Sequence, residues 1–312
     1  MQRFLSPLIL ALVALGVWLL ADSNFVLRIA TLVFIFGVAA IGLNVLVGDA
    51  GQVSLGHAGF LGIGAYATAV GPAALGVHPL LAGAAGVVIA GALAFAVGRP
   101  VLRLKGHALA VATLGLGILI FMVLTNEAWL TGGPDGMRVA RAEVFGVRLR
   151  GAALWFIISS VVLVLAALVA ETLKASPTGR ALRALHDSEV AAATAGIDVA
   201  AYKTVAFVVA AVYGAIAGVM LALFEGFVTP DVAGFLTSIE LVTMVVLGGM
   251  GSVLGAVAGA AILTALPQLL TIFQEYEHMM LGLVMMVVMI ALRRGIVPSL
   301  VALWPQRRGL KR

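Results

Sequence analysis

Five polar side chains interrupt a long apolar stretch of the sequence between residues 44 and 66, where glycines surround them. They are Asn44, Asp49, Gln52, Ser54 and His57. In the lipid interior an unsatisfied polar group costs several kcal/mol, so a polar, glycine-rich break is tolerated only inside a protein bundle or beside a water-filled path. We therefore predict that these five residues line or gate a conduit through a membrane.

The individual residues leave several roles open. Asp49 could orient a substrate ammonium, but a charge inside the membrane costs about 2.5–3.5 kcal/mol, which favours a helix cap near one membrane face. His57 is expected to be a packing residue rather than a metal ligand, because no second histidine or cysteine lies at ligand spacing. Asn44, Gln52 and Ser54 either line the path or satisfy the interrupted backbone. We predict no metal site.

The composition shows what kind of elements must position these residues. The chain has 312 residues, of which 62% are hydrophobic and 11% charged, against roughly 25% charged in soluble proteins. Its apolar stretches are continuous and about 20 residues long, enough for a helix to cross a bilayer. We predict an all-α polytopic membrane protein of about ten transmembrane helices (eight to ten), at 5–21, 25–47, 57–74, 79–98, 108–126, 152–171, 203–224, 238–249, 252–272 and 279–293.

The distribution of positive charge predicts the orientation, since lysine and arginine gather in cytoplasmic loops. With both termini in the cytoplasm, only five of the 19 lysines and arginines would be external: Arg28, Arg138, Arg141, Arg148 and Arg150. Four of these lie in a predicted periplasmic loop, 127–151, which is the one segment that departs from this charge rule. Its last residues, VFGVRLRG, alternate as in a short strand or hairpin. The first apolar segment could be a signal peptide, but its length and the many spans that follow favour a retained helix.

A second informative segment is the long polar loop at 172–202, predicted to be cytoplasmic. Ser176 before Pro177 is typical of an N-cap and first helical residue. Ser188 and Asp198 are placed to cap two further helices, and Gly196 is placed to end one. The loop is therefore predicted to hold two short helices across the cytoplasmic mouth, either as a docking element or as a simple connector.

The sequence holds no pattern typical of an active site. It has no cysteine, no Gly-x-x-x-x-Gly-Lys-Ser/Thr loop for ATP, and no serine-hydrolase or zinc-protease motif. We expect no enzymatic activity and no cofactor. The basic pI, near 10.0, is explained by the inner loops, so nucleic acid is not an expected partner.

Taken in order, four motifs resemble the LivM-type permeases of branched-chain amino acid ABC transporters. They are GLNVLVGDAGQVSLGHAGFLGIGAYA at 42–67, TGGPDGM at 131–137, SPTGRALRALHDSEVAAATAGID at 176–198 and GGMGSVLGAVAGA at 248–260. The resemblance covers nearly the whole chain, read as a single permease domain, 1–312. It implies a bacterial inner-membrane protein with the fold of type II ABC importers.

The resemblance also implies partners and a docking site. The partners would be two cytoplasmic ATPase subunits, a homologous second permease and a periplasmic substrate-binding protein. The ATPase-coupling residues would be Gly179, Arg180, Ala181, Arg183, Asp187, Glu189, Ala193 and Gly196. A bulky residue at Gly179 or Ala193 would then uncouple transport while the protein still inserts.

Other functions stay open from the sequence alone. A urea, short-amide or sugar permease of the same superfamily would have a similar sequence. An ion-coupled transporter predicts inverted repeats and acidic residues within the spans, and the spans here are nearly free of acids. A membrane enzyme is disfavoured by the missing catalytic residues.

Overall fold

The structure, a computed structural model, describes residues 5–21, 23–104, 106–144, 147–269 and 295–303, with Gly282 and Met286 between the last two ranges. The tenth predicted segment, 279–293, lies outside the described residues apart from those two positions. Each of the other nine predicted segments coincides with a described helix, with boundaries that differ by a few residues.

Helices dominate the described chain. The helices are α1 (Leu5–Leu20), α2 (Asn24–Asn44), α3 (His57–Leu75), α4 (Pro79–Val101), α5 (His107–Asn126), α6 (Ala128–Thr131), α7 (Ala152–Ala175), α8 (Pro177–Asp187), α9 (Glu189–Thr194), α10 (Val199–Glu225), α11 (Phe235–Gly248), α12 (Val253–Leu269) and α13 (Ile296–Leu303).

Six of the described helices are long and apolar enough to cross a membrane. They are α2 with its continuation to Asp49, α3, α4, α5, α7 and α10, while α1, α11 and α12 are apolar but shorter. This confirms a polytopic helical membrane protein. The number of spans and the position of the termini remain predictions.

Four short strands lie at one end of the bundle. Strand β1 (Met137–Arg138) pairs antiparallel with β4 (Phe227–Val228), and β2 (Glu143–Val144) pairs antiparallel with β3 (Val147–Arg148). The second pair confirms strand structure in the segment 144–151, where the alternation predicted a short strand or hairpin. The first pair ties the 127–151 loop to the end of α10.

The centre of the bundle is formed by α2, α3 and α10. Helix α2 is buried on all sides from Val33 to Asn44 except at Phe36, as expected for a helix that is apolar all round. Helices α4, α5 and α7 surround this centre and leave large apolar side chains such as Val88, Val111 and Val161 exposed. In a membrane protein those outer faces meet lipid.

Glycines set the distance between α3 and α10. A methyl group added to Gly218 would overlap the carbonyl oxygen of Leu61, and one added to Gly64 would overlap that of Ala215. The two backbones therefore touch directly, which is what small residues at four-residue spacing allow in membranes. The spacing of Gly214 and Gly218 thus serves helix packing here.

The Gly218→Ala variant is expected to lose about 1–3 kcal/mol of stability, the usual range for overpacking a tight contact. Its methyl group would force α3 and α10 apart. Thermal unfolding of the purified protein in detergent measures the loss. Gly115→Ala is the matched control, because beyond the neighbouring backbone of its own helix a methyl group there meets no atom within 4 Å; equal midpoints for the two variants would contradict the prediction.

Candidate functional site

The predicted break in the second apolar segment is present. Helix α2 continues beyond Asn44 as a π-helical turn, Val45–Asp49, residues 50–56 have no regular structure, and α3 begins at His57. Gly51 has φ +67°, a backbone conformation that glycine adopts without strain. Single π-helical turns are frequent at functional sites, so the geometry singles out the segment that the polar residues predicted.

Residues 50–56 run into the bundle rather than along its surface. The Leu55 amide donates to Thr113 Oγ1 at 3.2 Å, and Gly56 lies against the backbone of Thr113 and Gly117 on α5. Those residues lie roughly 9 and 15 Å along α5 from its first residue, at 1.5 Å per residue. Helix α3 therefore begins well inside the bundle, and the approach to it is irregular chain.

The five predicted conduit residues are all buried: Asn44, Asp49, Gln52, Ser54 and His57. Asn44 Oδ1 accepts from the Gly251 amide at 2.8 Å, and Gln52 Nε2 donates to the Ala50 carbonyl at 3.0 Å. Gln52 therefore satisfies a backbone group of the break, one of the two roles left open by the sequence, whereas Asn44 binds the turn between α11 and α12. On the side of the break facing away from Gln52 and Ser54, Val53 is 45% exposed.

His57 is placed as a packing residue. Its ring lies against Gly214 and makes an edge contact with Phe60, with 6.5 Å between ring centroids. Among the described residues no group of three or more histidine, cysteine, aspartate or glutamate side chains could hold a metal ion. The predicted absence of a metal site is not contradicted within that part of the chain.

Asp49 is not a helix cap, so that interpretation of the sequence is wrong. It ends the π-helical turn, while α3 begins eight residues later with Gly56 as its N-cap. Asp49 Oδ2 instead lies 3.5 Å from Lys174 Nζ, and both side chains are largely buried, at 7% and 12% exposed. The sequence missed Lys174 because the partner lies 125 residues away.

Lys174 joins a third segment to this pair. Its Nζ donates to the Gly251 carbonyl at 2.7 Å, in the turn between α11 and α12. Gly48 packs against the backbone of the same Gly251 so closely that a methyl group on Gly48 would overlap its nitrogen. The break, the end of α7 and the α11–α12 turn therefore meet at one point.

The long polar loop contains the two predicted helices, α8 and α9. Ser176, Ser188 and Asp198 each accept a hydrogen bond from the backbone amide three residues later, as N-caps do. Gly196 follows α9 with φ +83°. The local capping signals in the sequence therefore placed the ends of these elements correctly.

Helix α8 has one face on the bundle and one face outside. Ala181, Leu182 and Leu185 are buried, at 8%, 0% and 2% exposed. Of the predicted coupling residues, Gly179 and Ala181 are buried, Glu189 is partly buried, and Arg180, Arg183, Asp187, Ala193 and Gly196 are exposed.

Gly179 has a packing role in this structure. A side chain there would overlap the carbonyl oxygens of Leu173 and Lys174 at the end of α7. A bulky residue at Gly179 would therefore distort the α7–α8 junction itself. It would not test docking alone, whereas Ala193 on α9 is exposed and would.

Sequence reasoning missed Val190, which is 71% exposed on α9. It lies three residues before Ala193 and four before Thr194, so the three residues share one helix face, and all are exposed. We call this set the α9 face. The three-residue spacing from Val190 to Ala193 was a signal that could have identified it.

Side-chain contacts connect the α8–α9 pair to the break. Arg183 Nη1 donates to the Lys174 carbonyl at 2.9 Å, and a Cβ on Gly51 would lie 3.1 Å from His186 Nδ1. On the other side, Glu189 forms an ion pair with Lys203 at the start of α10, and the Lys203 side chain is 1% exposed. A displacement of α8 and α9 would therefore act on both the break and α10.

The fold and this site define a membrane-embedded helical protein with an interrupted helix at its centre, in contact with a capped helix pair that leaves one face exposed. The chain belongs to the family described as the permease component of the branched-chain amino acid transport system, whose model matches residues 25–289.

Curated relatives are consistent with this family. The chain is 33% identical over 321 residues to the high-affinity branched-chain amino acid transport system permease protein LivM of Escherichia coli K12, covering 95% of this chain and 75% of the relative. It is 26% identical over 289 residues to LivH of the same organism, covering 84% and 90%. The autoinducer 2 import system permease protein LsrC of Salmonella paratyphi B is 30% identical over 199 residues, covering 61% and 55%. No solved structure matches.

Proposed function

We propose that this protein is a permease subunit of an ATP-driven importer of leucine, isoleucine and valine in a bacterial inner membrane. The observation that carries the proposal is the family match over residues 25–289, together with the 33% identity to LivM. The chain supplies the path and takes its energy from separate ATPase subunits. Both termini and the 172–202 loop lie in the cytoplasm, the 127–151 loop lies in the periplasm, and the single domain has about ten spans with the fold of type II importers.

The α8–α9 pair is the coupling element in this proposal. An ATPase would contact the exposed members of the predicted coupling set and the α9 face. Closure of two ATPase subunits would move α8 and α9, and the contacts of His186 and Lys174 would pass that motion to Gly51, Asp49 and the α11–α12 turn. Motion of Glu189 would act on Lys203 and hence on α10.

The break is the gate or hinge of the conduit in this proposal. An irregular segment between two helices absorbs changes in φ and ψ that a continuous helix resists. The contacts of Asn44, Asp49 and Gln52 hold the segment in place, and Ser54 and His57 are buried beside them. The exposed Val53 lies on the opposite side of the chain. A weakly polar wall of the conduit would suit aliphatic side chains, because their transfer out of water is favourable.

The partners follow from the same family. The relatives LivM and LivH are both named as permease proteins of a high-affinity branched-chain amino acid transport system, which supports a pair of different, homologous permeases. One of two cytoplasmic ATPases would bind α8 and α9 of this chain, and the other would bind the second permease. A periplasmic binding protein would deliver the amino acid at the opposite face. The lipid bilayer surrounds the outer helices.

The test is transport in proteoliposomes that contain this chain, the second permease, two ATPases and the binding protein of its own system. We expect uptake of labelled leucine that requires ATP hydrolysis and stops with a non-hydrolysable analogue. Urea, acetamide and a sugar serve as alternative cargoes. Uptake by this chain alone, driven by a proton or sodium gradient, would overturn the proposal in favour of a secondary transporter.

A further inference from the structure

A cavity of about 630 Å³ opens at the end of the bundle opposite α8 and α9. It lies where α2 and α7 begin and α10 ends. Four arginines line it: Arg28, Arg138, Arg141 and Arg150. These are four of the five positive residues that the predicted orientation places on the external side. The structure brings these four together around one cavity.

The cavity has a net positive charge. Among the described residues that line it, one is acidic, Glu225, and it is paired with Arg28 at 2.8 Å. Among the described residues, Arg138, Arg141 and Arg150 form no ion pair, and all three are exposed. Three uncompensated guanidinium groups favour an anion, and their planar forks suit phosphate in particular.

An apolar groove of about 500 Å³ lies between α1 and α7. Ala14, Leu15 and Trp18 form one wall, and Phe156, Ile157 and Val161 belong to the other. The rings of Trp18 and Phe156 stack with 5.8 Å between centroids. A tryptophan near the end of a membrane helix is typical of the level at which lipid headgroups begin.

The cavity and the groove are lined by neighbouring residues at the start of α7. Ala152 and Trp155 line the cavity, while the next residues, Phe156 and Ile157, line the groove. The change from a basic surface to an apolar one therefore occurs within about one helical turn, or roughly 5 Å. A molecule that fits both surfaces has a compact anionic end attached directly to an apolar chain.

We propose that these two surfaces together bind one phospholipid with a net-negative headgroup, of the phosphatidylglycerol type. The phosphate lies among Arg138, Arg141 and Arg150, and one acyl chain lies in the groove between α1 and α7. A zwitterionic lipid is disfavoured, because Arg28 already occupies the one lining carboxylate that could hold an ammonium group. The site is separate from the break and from α8 and α9, and it does not depend on the cargo.

The test uses the full-length chain, purified with the subunits that accompany it, and native mass spectrometry with added lipid. We expect dioleoyl phosphatidylglycerol to bind more tightly than dioleoyl phosphatidylcholine. The double variant Arg141→Gln with Arg150→Gln should weaken phosphatidylglycerol binding by about 25-fold, taking about fivefold for each arginine beside an anionic headgroup. The matched control is Arg99→Gln with Arg103→Gln, which removes the same charge near the far end of α4 and should leave the affinity unchanged.

A second variant tests the groove. Val161→Trp places a bulky ring in the path of the acyl chain and should weaken phosphatidylglycerol binding while all four arginines remain. Free glycerol phosphate should compete poorly, since it lacks the chain; equal competition would show a small-anion site and overturn the lipid proposal.

Two further outcomes would overturn the proposal. In one, the wild type binds phosphatidylglycerol and phosphatidylcholine with equal affinity, and the arginine variant does the same. The other is an arginine variant that binds the periplasmic binding protein more weakly but phosphatidylglycerol unchanged, which would make the cavity a protein-docking surface. Thermal unfolding of each variant shows that it is folded before its binding is compared.

Discussion

Replacing Val190 with glutamate is expected to reduce ATP-driven uptake more than tenfold while the protein remains folded and inserted. Val190 is 71% exposed and lies on the α9 face that we assign to ATPase docking. An apolar side chain at the centre of an interface is typically buried on assembly, and a buried carboxylate without a partner costs several kcal/mol. Uptake of labelled leucine by proteoliposomes and ATP hydrolysis by the same preparation measure the effect.

The control for this variant makes the same chemical change elsewhere. Val77→Glu introduces a carboxylate at another exposed valine, in the connection between α3 and α4, and should leave uptake near the wild-type rate. Ala193→Glu, on the same helix face as Val190, should behave like Val190→Glu. If both α9 variants transport at the wild-type rate, the docking assignment is wrong.

Replacing Lys174 with methionine is expected to lower the free energy of unfolding by about 3–5 kcal/mol, the usual cost of removing one partner from a buried ion pair. The variant leaves Asp49 buried without its cation, which lies 3.5 Å away, and removes the donor to the Gly251 carbonyl. Unfolding in detergent measures the loss, and ATP-driven uptake should fall as well because three segments lose their common contact.

A double variant separates the ion pair from simple loss of packing. Asp49→Asn combined with Lys174→Met removes both charges and should recover most of the lost stability, because the main cost is the unpaired carboxylate. Thr172→Met is the matched control, since Thr172 is exposed near the same end of α7 and its replacement should be nearly neutral. A double variant no more stable than Lys174→Met would show that the charges do not interact.

The helices of this protein were predictable because their signals are local. Apolar runs of span length predicted nine described helices, and Ser176, Ser188 and Asp198 predicted the starts of three helices in the order found. The π-helical turn and the irregular approach to α3 could be predicted only as a break, since glycine and polar residues show where a helix is interrupted but not where the chain then goes.

Contacts between distant segments could not be predicted. Asp49 is a residue type that often caps helices, and it precedes a predicted helix. Only the fold brings Lys174 beside it. Gly179 lies in a polar segment of the sequence, where an exposed docking residue is expected, but the turn at the end of α7 buries it. In both cases the role is set by a neighbour that spacing along the chain does not reveal.

The meeting of Gly48 and Gly251 has a consequence for how this protein can evolve. The two segments touch through backbone atoms, and a methyl group on Gly48 would overlap the Gly251 nitrogen. At an ordinary packed contact, a larger residue on one side can be compensated by a smaller one on the other. Here neither residue can become smaller, so no second-site change compensates for the first. This junction should be among the last parts of the chain to diverge between orthologues, even as the lipid-facing surfaces drift.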